Sequence, residues 1–482
     1  MKKIYLFTFM FYLLFLISTN LIASKSQIKQ DEKKGIEGIW QGVLKISGIE
    51  LRIVFKINKS ENDSLSATLD SPDQGAKDIL VSEVIFKNDT LRLEVKVVNG
   101  NYQGFLKTDS MAIEGTWSQG GMSLPLDLNR IEKIPELKRP QMPPKPYPYN
   151  EEEVEYQNEK AGITFAGTLT TPKTEAPFPA VILITGSGAQ DRDETVFEHR
   201  PFLILADYLA RLGIAVLRVD DRGVGGSTGK VSLSTSEDFA GDVLAGVEFL
   251  KTRKEIDTKK IGLIGHSEGG IIAPMVAAKS DDIAFIVLMA GTGLTGEEIL
   301  YLQAALIMKT QGVDDVKIAE NRAKQMKMFA VMKQEPDSLK AAQKLRDILK
   351  KSLAEISNDE KEKMSGADAQ IDVQIKQVMN PWFRFFLTYD PKSALKKVKC
   401  PLLAINGEKD LQVPPKENLA AIEEALKEGG NTNYTIKELP NLNHLFQTAE
   451  TGSPSEYGKI EETISPTALK VMGDWILEQT TK

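Results

Sequence analysis

The chain has 482 residues, 41% of them hydrophobic and 26% charged, a balance that fits a soluble globular protein of two or three domains. Its formal net charge of −7 leaves no basic footprint for nucleic acid. One cysteine, Cys400, rules out an intramolecular disulfide, and three histidines supply no Cys/His cluster with metal-ligand spacing, so neither a metal nor an organic cofactor is expected.

Residues 1–23 read as a signal peptide. Lys2 and Lys3 carry positive charge, Ile4 to Ile17 is almost wholly apolar, and Ala23 and Ser24 offer small residues for cleavage. The rival reading is a membrane anchor, but the apolar run falls short of the ~20 residues that span a bilayer. The absence of a cysteine near the cleavage region argues against a bacterial lipoprotein. The mature chain is expected to be exported, to the periplasm or the exterior.

Residues 35–134 carry all-β patterning. Ile39 to Ile46, Leu51 to Ile57 and Leu91 to Val97 alternate with period two, and Asn88-Asp89 and Asn99-Gly100-Asn101 are turn signals. Trp40 and Trp117 sit in similar Gly-flanked runs, one near each end. The repeat marks either closure of a small barrel or sandwich, or two unrelated aromatic strands. Residues 135–150 include Pro140, Pro143, Pro144, Pro146 and Pro148 and read as an extended, fairly stiff linker.

From residue 151 to 482 strands alternate with helices. Ala180 to Ile184, Ile214 to Val219, Lys260 to Ile264, Ile283 to Met289, Leu402 to Ile405 and Tyr434 to Leu439 read as strands, mostly continuous apolar runs buried on both faces. Phe202 to Leu212, Phe239 to Leu250, Ile271 to Ala278 and Pro466 to Gln479 read as helices. Such alternation implies a mainly parallel sheet covered on both faces. Residues from about 294 to 396 break the pattern with helical periodicity alone. They form either a cap over the site or a helical excursion elsewhere on the surface. Loops leaving the carboxyl ends of parallel strands border the site, which favours a cap. Met308, Met326, Met328 and Met332 either line a flexible pocket or pack a core, and Trp382-Phe383-Arg384-Phe385-Phe386 either walls the pocket or packs the cap.

Gly265-His266-Ser267-Glu268-Gly269 lies between a strand and a helix, the context that makes G-x-S-x-G a nucleophile elbow. A serine hydroxyl needs a neighbouring base. His266 adjoins the serine, where its ring cannot easily reach Oγ, and His199 lies upstream, before the first helix. His444, after the last strand, is where the base of this architecture belongs. The acid is expected in the loop after the preceding strand. Asp410 is favoured there, with Glu408 as its competitor. The order Ser267, Asp410, His444 is the Ser-Asp-His order of the architecture. Two backbone N–H groups would form an oxyanion hole, one from Glu268 and one from Gly186-Ser187-Gly188, with Ser187 favoured.

From about Val154 to the end the chain resembles secreted bacterial serine esterases of the α/β-hydrolase superfamily. Ile184 to Glu194, with Gly-Ser-Gly followed by Asp191-Arg192-Asp193-Glu194, is similar to one subgroup. Asp220-Asp221-Arg222-Gly223-Val224-Gly225-Gly226-Ser227 resembles the superfamily's Asp-x-Arg-Gly-x-Gly-x-Ser loop, which is mainly structural there. Thr185 stands where many members have histidine. The resemblance covers about two thirds of the chain and leaves the amino-terminal β domain outside the common core. It implies an α/β fold, an α/β-hydrolase sheet with a helical cap insertion behind a small all-β domain. It also implies cleavage of carboxylic esters of small to medium acyl chain through an acyl-enzyme, with a small-molecule ester as the partner. A serine peptidase or amidase would use the same residues. In a further alternative the enzyme fold is inert and the β domain binds an envelope or glycan partner.

Overall fold

The computed structural model describes residues 35–481 apart from 47–48, 61, 73–75, 109, 120–121, 135–137 and 355–366. The expected signal peptide lies outside the described residues. Among those described, one unit holds residues 35–137 and 342–377, and a second holds 138–341 and 378–481.

The first unit contains a ten-stranded sheet of β1 (Gly38–Ile46), β2 (Ile49–Lys59), β3 (Leu65–Ser71), β4 (Ala76–Leu80), β5 (Glu83–Lys87), β6 (Thr90–Val95), β7 (Gly100–Leu106), β8 (Ala112–Gln119), β9 (Met122–Pro125) and β10 (Leu128–Ile131). The order is β4-β3-β2-β1-β10-β8-β7-β6-β5, with β9 on β8. The outermost strands β4 and β5 are joined by Val81 and Ser82 alone. In a flat sheet those edges would stand about 38 Å apart, beyond the about 11 Å that such a link can span. The sheet therefore curls, and Val81 and Ser82 donate their N–H groups to Ala67 O (3.1 Å) and Glu94 O (2.7 Å) on the strands beside the two edges. Trp40, Phe55, Leu91, Tyr102 and Trp117 fill the interior. The two tryptophan strands, β1 and β8, do not pair with each other; β10 lies between them. Asn88 and Asp89 make the β5–β6 hairpin at φ of 50° and 55°, the positive values a two-residue turn demands. The alternating run ends at Val95, because Lys96–Val98 winds into a 3₁₀ turn.

In the second unit β11 (Asn150–Asn158), β12 (Ile163–Thr171), β13 (Phe178–Ile184), β14 (Ala215–Val219), β15 (Ile256–His266), β16 (Phe285–Met289), β17 (Leu402–Gly407) and β18 (Tyr434–Leu439) form one sheet. The order is β11-β12-β14-β13-β15-β16-β17-β18, antiparallel through the β12–β14 pair and parallel from β14 onward. This is the α/β-hydrolase architecture. Period two divides the strands between two cores. Ala180, Ile182 and Ile184 face helices α2 (Ser236–Lys251) and α3 (Gly269–Ala277), while Val181 and Leu183 face α1 (Pro201–Arg211) and the carboxyl-terminal helix. Each large apolar side chain buried this way contributes roughly 1.5–3 kcal/mol. Local signals start the helices. Thr235 and Asp238 close a capping box on α2, and proline occupies the first turn of α1.

Among the described residues the segment between β16 and β17 holds helices and no strand: α4 (Gly296–Thr310), α5 (Asp315–Gln334), α6 (Ser338–Ala354), α7 (Ala367–Val378), α8 (Pro381–Thr388) and α9 (Lys392–Leu395). It divides between the units, the described residues 342–354 and 367–377 grouping with the first. Met308, Met328 and Met332 are buried where α4, α5 and α8 pack together, so they belong to a helical core, whereas Met326 is exposed. α10 (Pro415–Glu428) and α11 (Pro466–Thr480) complete the unit. Part of the proline-rich segment is docked on this unit. The Arg139 guanidinium donates to Phe197 O, Gly458 O and Ile460 O, and Gln141 bonds to Thr463 N and Ile464 O.

Candidate active site

The parallel strands β13, β15, β17 and β18 end on one edge of the sheet, and the loops leaving that edge carry the candidate residues. β15 runs to His266, and α3 starts three residues later at Gly269, with only Ser267 and Glu268 between. Ser267 therefore occupies a one-step reversal, held at φ 52° with its N–H on Met289 O at 2.8 Å. Left-handed backbone at a serine is strained by about 1–3 kcal/mol and lifts the side chain clear of the strand. Glycine permits this close approach. A Cβ on Gly265 would stand 2.0 Å from Gly269 O, and one on Gly269 would stand 2.2 Å from Ile184 O.

Asp410 leaves the end of β17. Its Oδ2 lies 2.8 Å from His444 Nδ1. Its Oδ1 accepts the N–H groups of Gln412 (2.8 Å) and Val413 (2.9 Å), which fixes the carboxylate plane. The Asp410 side chain is fully buried and that of His444 nearly so. Glu408 is turned elsewhere and accepts the Asn441 N–H at 2.8 Å. The His444 ring lies 4.9 Å from the His266 ring.

Opposite the elbow runs Gly186-Ser187-Gly188. A Cβ placed on Gly186 would lie 3.3 Å from Ser267 Cβ, so this segment borders the serine. The Gly186 N–H is taken by Glu194 Oε1 at 2.7 Å. Among the described residues the Ser187 and Glu268 N–H groups have no partner. Asp221, from the loop after β14, braces the segment at both ends: Oδ1 accepts the Thr185 hydroxyl (2.8 Å) and Oδ2 accepts the Gln190 N–H (2.9 Å). Thr185 thus has a structural task of its own. In the same loop Arg222 pairs with Asp242 and Asp220 with Arg192.

The electrostatics of this corner are unusual. Burial pushes the Asp221 carboxyl well above the usual carboxylate range, against its two hydrogen bonds, and the nearby Glu268 and Glu194 add to the rise. Burial also raises Glu268, whose Oε1 accepts Ser236 Oγ (2.5 Å) and the Trp382 indole N–H (2.7 Å). Trp382, from α8, stacks on Phe386 at 5.1 Å. For His266 burial favours the neutral ring, but the Glu194 charge and hydrogen bonds outweigh it and hold the imidazole above its ordinary value. A cleft beside the elbow is lined by Gly186, Gly188, Asp221, Phe239, Glu268 and Ile272.

Sequence reasoning named Ser267, Asp410, His444, Ser187 and Glu268, and all five lie on the loops at this sheet edge. It assigned no role to Glu194 or Asp221, although both stand in motifs it singled out. His199 lies apart from this corner, buried against Thr463, Tyr457 and Gln447. Among the described residues no group of His, Cys, Asp and Glu has the arrangement of a metal site. None of the described helices is long and apolar enough to cross a membrane.

Residues 200–450, more than half of the chain, match the family model Hydrolase_4, described as serine aminopeptidase, S33. The esterase EstD of Thermotoga maritima is 29% identical over 294 residues, 61% of this chain and 61% of EstD, so the chain spans about three fifths of that relative. Among solved structures, the Pyrococcus furiosus esterase PF2001 is 18% identical with a TM-score of 0.41, over 72% of this chain and 98% of that one. Est1E from Butyrivibrio proteoclasticus, solved with ferulic acid bound, is 17% identical with a TM-score of 0.39, over 68% of this chain and 100% of that one.

Proposed function

We propose that this chain, which belongs to the Hydrolase_4 family (serine aminopeptidase, S33), is a serine hydrolase that cleaves carboxylic esters of small to medium acyl chain through an acyl-enzyme. The observation that carries the reading is the buried Asp410–His444 pair on loops of the same sheet edge as the left-handed Ser267. Kinship with EstD, a protein named an esterase, supports an ester substrate.

In this reading His444 takes the proton of Ser267 Oγ as the oxygen attacks the ester carbonyl carbon. Asp410 accepts from Nδ1, keeps the tautomer that leaves Nε2 free, and stabilises the imidazolium. The carbonyl oxygen becomes an oxyanion and is met by the Ser187 and Glu268 N–H groups, a contribution of about 2.7–4 kcal/mol per donor in other enzymes. His444 then protonates the leaving alkoxide, and the C–O bond to it breaks. Water repeats the sequence on the acyl-enzyme, releasing the acid and restoring Ser267. Phe239 and Ile272 give the adjacent cleft an apolar wall suited to a modest acyl group.

The test is hydrolysis of a chromogenic ester series from acetate to decanoate by wild type and Ser267→Ala. Wild-type turnover that falls roughly 10⁶-fold in the variant is expected. Turnover that survives the substitution removes Ser267 from the reaction. The family's description as a serine aminopeptidase supplies a second reading, peptide or amide cleavage by the same residues. Matched amides decide it, because an amide rate equal to the ester rate would displace the esterase reading. We further propose export to the periplasm or exterior, supported by the charge and hydropathy pattern of residues 1–23. An envelope or glycan ligand of the β domain remains a separate proposal, tested by binding with Ser267→Ala.

A further inference from the structure

Asp191-Arg192-Asp193-Glu194 forms a loop fastened at each of its residues. The Asp191 carboxylate accepts the N–H groups of Asp193 (3.1 Å) and Thr195 (2.9 Å). Arg192 pairs with Asp220 and with Glu153, and Asp193 pairs with Arg218. The anchors hold Glu194 at φ 52°, left-handed backbone that a non-glycine residue adopts only under constraint. The constraint delivers one carboxylate oxygen, Glu194 Oε1, to two targets: Gly186 N at 2.7 Å and His266 Nδ1 at 2.9 Å. The other nitrogen of the same ring, Nε2, lies 3.1 Å from His444 O. A carbonyl oxygen only accepts, and a carboxylate has no proton of its own to give. With Glu194 as the carboxylate, both ring nitrogens of His266 donate, which is the imidazolium form.

We infer that Glu194 and a protonated His266 form a buried positioning pair that fixes the Gly186 segment and the His444 loop relative to Ser267. The pair rests on the serine-hydrolase reading for its effect on catalysis, but its geometry stands without it. Its position explains its purpose. His266 is one residue before the elbow, so its ring cannot serve Ser267 Oγ and instead reaches across the site to the main chain of the histidine that does. Glu194 takes the Gly186 N–H and so holds in place the segment that borders Ser267 and carries Ser187. One ion pair thereby ties the loops after β13 and β18 to the last residue of β15. The titratable groups facing the ring are Glu194 on one side, and Asp410 with the His444 imidazole on the other, while Asp221 lies near enough to feel the Glu194 charge. Glu194 and Asp410 both favour a proton on His266.

The decisive measurement is a side-chain ¹H–¹⁵N spectrum of the full chain labelled with ¹⁵N-histidine, at pH 7.5. With three histidines, His199→Gln and His266→Gln suffice for assignment. Two N–H resonances on the His266 ring are the expected result, at a pH where an ordinary imidazole is mostly neutral. A single N–H with one bare ring nitrogen would overturn the pair. Glu194→Gln is then read in steady-state kinetics. We expect kcat to fall about 100-fold, the cost of misplacing reacting groups, with KM little changed. An unchanged kcat, or a rise confined to KM, overturns the positioning role. If ester hydrolysis survives Ser267→Ala, the serine reading fails, and the spectrum still decides the ion pair by itself.

Discussion

Asp410 Oδ2 and His444 Nδ1 meet at 2.8 Å across 34 residues of sequence, and the carboxylate that makes the contact has no exposed surface. Adjacent parallel strands bring them together. β17 and β18 end side by side at Gly407 and Leu439, and each releases its loop on the same edge. The Gln412 and Val413 N–H groups then leave Asp410 one free direction, toward the imidazole. Asp410→Asn keeps the shape and loses the charge, so kcat should drop about 10⁴-fold while KM stays close to wild type. Glu408→Gln should leave kcat near wild type, because that carboxylate serves only the Asn441 N–H. Ester kinetics on the two variants check the assignment, and equal losses would undo it.

The elbow depends on glycines for space. Gly269 packs so closely under the end of β13 that a Cβ would stand 2.2 Å from Ile184 O and 2.9 Å from Thr185 O. Both atoms are backbone, so neither can swing aside. Gly269→Ala should cost about 1–3 kcal/mol of stability, the usual toll of overpacking. It should also lower kcat, because the displaced strand end leads directly into Gly186 and Ser187. Urea unfolding and ester kinetics on the same preparation test both. A variant as stable and as active as wild type would mean that the two segments are not in contact.

The parts that were legible in the amino-acid pattern are those where one residue type has one solution. The continuous apolar runs of β13 and β16 lie buried on both faces as strands, and Tyr434–Leu439, a partly exposed strand at the sheet's end, also emerges with the expected bounds. β11 was not individually readable, because Asn150-Glu151-Glu152-Glu153 hides its period and burial begins only at Val154. Ser267, Asp410 and His444 could be named from motif and chain order. Glu194 and Asp221 could not be given tasks, because these exist only as pairings: Glu194 with a ring 72 residues away, Asp221 with a hydroxyl 36 residues away. The division of the helical segment between two units likewise depends on packing that no periodicity encodes.

Glu268 makes stability fall as pH rises above the usual carboxylate value. Burial raises its carboxyl above the usual 4.5, so the folded chain holds a proton that the unfolded chain has already released. In the window from 4.5 up to the raised value the native state binds more protons. Stability is thus fully present below 4.5 and declines as pH rises through the folded-state value. Glu268→Gln keeps an Oε1 acceptor for Ser236 and Trp382 and removes the titration. Its unfolding midpoint, compared with wild type, should gain more at pH 8 than at pH 4.5. A difference independent of pH would show that the buried carboxyl does not titrate in this range. Trp382→Phe removes a donor from the same oxygen and should destabilise by about 1–3 kcal/mol at neutral pH.

His199 gives the opposite slope. It is 1% exposed, with Nδ1 2.7 Å from Thr463 Oγ1 and Nε2 between Tyr457 O and the Gln447 amide. Burial, aided by the nearby Arg139 charge, brings its pKa down from 6.5 to about 4. Between those values the unfolded chain carries the proton and the folded chain does not, so stability increases with pH. It is complete above 6.5 and drains away as pH falls toward 4, by up to about 1.4 kcal/mol per unit. His199→Gln should flatten this dependence whatever it does to stability at pH 7. Urea unfolding of both proteins at pH 7.0 and 5.0 provides the test. Parallel losses on acidification would place the sensitive proton elsewhere. A smaller loss in the variant assigns it to the ring that sits among Thr463, Tyr457 and Gln447, beside the segment that Arg139 and Gln141 fasten down.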